Sequence, residues 1–162
     1  MRTKQMLLVA AIAALAVAAS ACTIDVERNT DGSLQISSVI TADSLAAEFG
    51  RDPRNDNVSV EIRDGFMLVE AEGHERNGDE FVASFRVDLD LAGDTLTVDI
   101  SDAVYNGWDI PADIVQRWDD AIAAELTKAA REHPDATLES VAADNGQVEM
   151  EWRLETRESR GL

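Results

Sequence analysis

Six short turn signals punctuate this chain: Asp31-Gly32, Asp64-Gly65, Asn77-Gly78, Gly93-Asp94, Asn106-Gly107 and Asn145-Gly146. Such pairs supply the positive φ angles that tight hairpins demand. Between them lie short runs of alternating apolar and polar residues: "TIDVER", "SLQISSVI", "VSVEIR", "FMLVEAEGHE", "FVASFRVDLDL", "TLTVDISDAVY", "TLESVAA" and "VEMEWRL". A chain cut this way folds into antiparallel strands. Register follows from the two-residue side-chain period. A two-residue turn at Asp64-Gly65 sets Ile62 opposite Met67 and Val60 opposite Val69, and one at Gly93-Asp94 sets Leu91, Leu89 and Val87 opposite Leu96, Val98 and Ile100. At Asn77-Gly78 a two-residue turn would bring Glu70 and Glu72 to the core face. A three-residue loop, Asn77-Gly78-Asp79 with a bulge, instead pairs Val69 with Val87, Ala71 with Phe85 and Glu70 with Arg86. The register of the closing hairpin at Asp144-Asn145-Gly146 stays open.

Two stretches break the alternation. "TADSLAAEF" predicts a short helix with Thr41 as N-cap and Leu45 and Phe49 on one face. "DIPADIVQRWDDAIAAELTKAAREH" predicts a long one, with Ile114, Trp118, Ile122, Leu126 and Ala129 or Ala130 in an apolar stripe and Asp119 and Asp120 on the opposite side. His133, before Pro134, suits the negative C-terminal end of that helix. The fold expected is α+β: a curved antiparallel sheet, meander plus closing hairpin, wrapped round one long amphipathic helix.

The N-terminus reads differently. Arg2 and Lys4 precede an uncharged apolar run from Met6 to Ala19, the layout of a secretory signal and shorter than the roughly 20 residues a membrane span needs. It ends in "ASAC", whose Cys22 is the one cysteine of the chain. This resembles the bacterial lipobox, with Ala19 where Leu is usual. The resemblance implies a signal peptide over 1–21, lipidation of Cys22, and export to the outer side of the cytoplasmic membrane, or to the outer membrane of a cell with two. A single domain over 22–155 and a polar, fraying tail over 156–162 would follow. With one cysteine no internal disulfide forms, so packing alone must hold the fold.

Charge then narrows the partners. Two of the 14 basic residues lie in the leader, so the chain from Cys22 carries 12 against 32 acidic residues, a net charge of −20. Such a surface repels nucleic-acid phosphates and anionic headgroups. Histidines His74 and His133 stand apart, and no nucleophile elbow, phosphate loop or dinucleotide fingerprint occurs. The expectation is a non-enzymatic protein. Asp88 falls opposite Asp99 with Asp90 two residues along, a cluster that calcium would neutralise; a solvated acidic face partly relieved by Arg86 is the simpler account in so acidic a chain. The remaining expectation is a lipid-binding slot lined by Met67, Val69, Phe81, Phe85, Trp118, Ile122, Met150 and Trp152, with small Ala71, Gly73 and Ala83 leaving room. The same residues suit a filled core. In that case the chain would be a structural or protein-interaction module of the envelope with an acidic face, and Phe66 and Leu68 would sit on the outer side beneath the short helix or in a contact patch.

From Ile40 to Leu154 the order of short helix, meander, long helix and final strand pair, with "ITADSLAAEF", "GWDIP" and "NGQVEM", is similar to the lipomannan elongation factor family of envelope proteins. That resemblance implies a half-tubular fold with a sheet round a long helix and an apolar ligand held inside.

Overall fold

The computed structural model describes residues 23–161. Cys22 and the leader lie outside the described residues. The elements run β1 (Thr23–Arg28), β2 (Leu34–Thr41), α1 (Ala42–Phe49), β3 (Asn55–Arg63), β4 (Phe66–His74), β5 (Glu80–Ala92), β6 (Thr95–Tyr105), β7 (Trp108–Asp109), α2 (Ala112–Glu132), β8 (Ala136–Asp144) and β9 (Gln147–Leu154).

The fold is α+β, with two helices and two antiparallel sheets among the described residues. The strands expected in one curled sheet divide between a four-stranded sheet, β1-β2-β9-β8, and a five-stranded one, β3-β4-β5-β6-β7. The physical reason lies at α1, which turns the chain away after β2, leaving β2 to pair with β9 from the far end of the sequence. β8 then lies against β3, β4, β5 and β6 of the other sheet, and the backbone N–H of Gly65 donates to the Ala143 carbonyl at 2.7 Å between them. Thr41 caps α1 as expected, its hydroxyl accepting from the Ser44 N–H at 3.2 Å. Leu45 and Phe49 of α1 join the main core. They do not roof Phe66 and Leu68, which are half-buried on the opposite face of β4, with the Arg86 guanidinium 3.9 Å over the Phe66 ring.

The turns at Asp64-Gly65 and Gly93-Asp94 give the expected pairs, Ile62 with Met67 and Leu89 with Val98 among them. The loop at Asn77-Gly78 is a correction. Val69 pairs with Phe85 and Met67 with Val87, two residues from the expected register but on the same faces. The loop is three residues long as expected, yet it is Arg76-Asn77-Gly78. The Gly78 N–H donates to the Glu75 carbonyl at 2.9 Å and the Glu75 N–H to the Asp79 carbonyl at 2.8 Å. Such a loop needs its last residue at positive φ, and only Gly78, at +88°, supplies that without strain. At the closing hairpin, Asn145-Gly146 forms a two-residue turn with both φ values positive, setting Asp144 opposite Gln147.

α2 packs along β6. Trp118 and Ile122 are buried in the main core with Met67, Val69, Phe85, Val87, Ile100 and Met150. Asp119 differs from the sequence reading: its carboxylate faces the sheet, where Oδ1 accepts from the Ile100 N–H at 2.9 Å. Residues 156–161 of the tail expected to fray fold back on the β1–β2 turn. The Thr156 hydroxyl donates to the Gly32 carbonyl at 2.7 Å, and Arg28 pairs with Glu158 at 2.6 Å.

Candidate functional site

The inward face of the four-stranded sheet can be read in rows across its register. One row runs Ile40, Val148, Ala143; the next Ser38, Met150, Val141; the next Ile36, Trp152, Leu138. The first two are largely filled by the main core. Over the third, the core opens. α2 presents its small residues Ala129 and Ala130 there, where Trp118 and Ile122 earlier on the same stripe had filled the space.

The result is an open cavity of about 280 Å³ between the last turns of α2, the start of β6 and this sheet. Its apolar walls are Ile36, Leu96, Leu126, Leu138 and Trp152 with alanines 129, 130 and 136; its polar lining is Asp94, Thr95 and His133. Those three are solvent-exposed, as are Ala129 and Ala130, so together they mark the mouth. The Thr95 hydroxyl reaches Asp94 Oδ1 at 3.4 Å. His133 is the C-cap of α2, as the sequence suggested. The floor also continues sideways: Val26 of edge strand β1 is directly opposite Ile36, and Ile24 opposite Ser38. Both are about half exposed, at 53%.

Of the eight residues expected to line an apolar slot, Trp152 lines this cavity. Met67, Val69, Phe85, Trp118, Ile122 and Met150 are packed together in the main core, and Phe81 lies in a separate small cluster with Ala71 and Ala83. There Phe81 stacks on Tyr105, centroids 5.8 Å apart. Burial, and then the hydrogen bond with Glu75, push the Tyr105 hydroxyl well above its ordinary pKa. Gly73 leaves no slot in this layer, since a Cβ built there would meet the Arg54 carbonyl oxygen at 1.8 Å.

The acidic residues are disposed as the register required, Asp88 directly opposite Asp99. Asp88 takes a two-pronged ion pair from Arg86, at 2.8 and 2.6 Å. Asp90 turns aside to accept from the Leu91 N–H. Among the described residues no three His, Cys, Asp or Glu side chains converge as a metal site would need, so Asp88, Asp90 and Asp99 are not brought together for calcium. The carboxyl shifted upward here is Asp119, raised by burial and by nearby Asp99 while the Ile100 N–H pulls the other way.

The cavity's walls were partly visible in the sequence. Leu126, Ala129 and Ala130 belong to the helical stripe already recognised, but Ile36, Leu138 and Trp152 could be put in one row only once the register of the closing hairpin was known. No protein-family model, no curated protein and no solved structure matches this chain. No helix among the described residues is long and apolar enough to cross a membrane.

Proposed function

We propose that this chain is a lipid-anchored lipoprotein of the cell envelope, non-enzymatic, which holds a lipid acyl chain between the C-terminal half of α2 and the four-stranded sheet. The observation that carries this reading is the cavity itself: apolar walls, polar groups confined to the mouth, and a volume of about 280 Å³, near the lower end of the roughly 300–1,000 Å³ usual for ligand pockets. One chain fits better than two. In this reading the strands curve round one side of α2, and the packed layer of Val69, Phe85, Trp118 and Met150 is the rigid floor next to the slot.

Placement supports the anchor. β1 begins one residue after Cys22, so a lipidated Cys22 would hold the β1 edge against the bilayer, on the side where Val26 and Ile24 continue the cavity floor. Two or more acyl chains on that cysteine make such an anchor stable where one would be marginal.

The test is native mass spectrometry of residues 23–162 purified from a lipid-containing host, before and after organic extraction. A co-purifying lipid, lost in an Ala130→Trp variant that fills the cavity, is the expected result. A clean protein that also ignores added lipid would overturn the reading and turn attention to the acidic face of Asp88, Asp90 and Asp99 as a surface for a protein partner.

A further inference from the structure

The mouth of the cavity is acidic. Its polar lining holds the Asp94 carboxylate beside the Thr95 hydroxyl and His133. His133 caps α2, a helix of 21 residues, whose aligned peptide dipoles place the equivalent of roughly half a negative charge at this end. The last-turn alanines 129 and 130 form the wall next to it. Lys128 and Arg131 stand on the same turns, but neither lines the cavity. The chain from Cys22 adds a net charge of −20. A head that follows its acyl chain into this mouth therefore meets a carboxylate, the negative end of a helix dipole and hydrogen-bond acceptors.

We infer that the cavity binds a single acyl chain whose head is uncharged and bears hydroxyl groups, as in a monoacylglycerol, and that it excludes chains ending in a carboxylate or phosphate. This rests on the proposed lipid-binding reading and adds the chemistry of the head to it. A head hydroxyl donates to Asp94 or to a terminal carbonyl of α2; a carboxylate has nothing to donate and is repelled by both.

The experiment is isothermal titration of residues 23–162 with monolauroylglycerol and with sodium laurate, below their micelle concentrations and at a pH where laurate is fully ionised. An Asp94→Asn variant is titrated alongside. Expected is binding of the monoacylglycerol, laurate weaker by at least about tenfold, and a gap that narrows in Asp94→Asn because laurate gains. Equal binding of the two probes overturns the inference and leaves lipid binding standing. A gap unchanged by Asp94→Asn overturns the role given to Asp94 and the mouth. Failure of both probes, with the protein folded by circular dichroism, overturns the lipid-binding reading itself.

Discussion

Gly73 and Gly78 show how one residue type can be required for two unrelated reasons. Gly78 has φ +88° with nothing near its missing side chain, whereas Gly73 has an ordinary backbone conformation but presses on the Arg54 carbonyl. Gly78→Ala should cost about 1–2 kcal/mol, the penalty of a left-handed L-residue. Gly73→Ala should cost more, about 3 kcal/mol, because backbone must move to make room. Urea denaturation of the two variants checks the order. The first requirement was legible in the sequence as Asn-Gly; the second was not, since it depends on a contact with the 51–54 loop. Asp31 offers a residue-level test in acid. The Ser33 hydroxyl and N–H, and then Arg153, hold its carboxyl at about 2, below its ordinary 3.8. A lowered folded-state pKa means stability that is present above 3.8 and lost as pH falls towards 2. Thermal unfolding of Asp31→Asn should accordingly depend less on pH across that window than the parent chain does.

At the scale of elements, α2 is two helices in one. Its first half is a core helix through Trp118 and Ile122; its second half packs on the core only through Leu126 and, with Ala129 and Ala130, walls a cavity. The 3.6-residue stripe was evident in the sequence, but a stripe does not say how far its partner sheet extends. Trp118→Ala should lower stability by about 3–5 kcal/mol, while Ala130→Trp should leave unfolding nearly unchanged and block ligand uptake; calorimetry and the mass-spectrometric assay separate the two halves. Asp119→Ala should destabilise by roughly 1 kcal/mol, because the Ile100 N–H loses its acceptor. The sequence put Asp119 on the outer side because a wheel of residues cannot anticipate a hydrogen bond to a sheet edge. The β4–β5 loop carries a similar lesson: its length was inferable, but placing the glycine in the middle of the loop and not at the end shifted the pairing by two residues.

For the whole molecule, eight of the nine strands and their antiparallel course were readable, the two-residue β7 was not, and neither was the partition into sheets. Alternation specifies which face is apolar, but pairing of β2 with β9 joins segments separated by most of the chain, and nothing local encodes it. The candidate site suffered for the same reason, because its floor is a row assembled from both ends of the sequence. The surplus of acid over base predicts that moderate salt stabilises the fold by screening self-repulsion over the roughly 8–10 Å Debye length. Scanning calorimetry should show Tm rising between low and physiological ionic strength. The outer edge of β1 has a further consequence at high concentration of the chain. Six exposed residues with an unpaired edge invite a second copy to add its own β1. Antiparallel joining that keeps Ile24 and Val26 on a common face sets Asp25 against Asp25 of the other copy, or shifts by one pair and sets Asp25 against Glu27. Either way like charges meet head-on, so the strand that extends an apolar floor also carries, on its reverse side, what keeps neighbouring copies from zipping together into fibres.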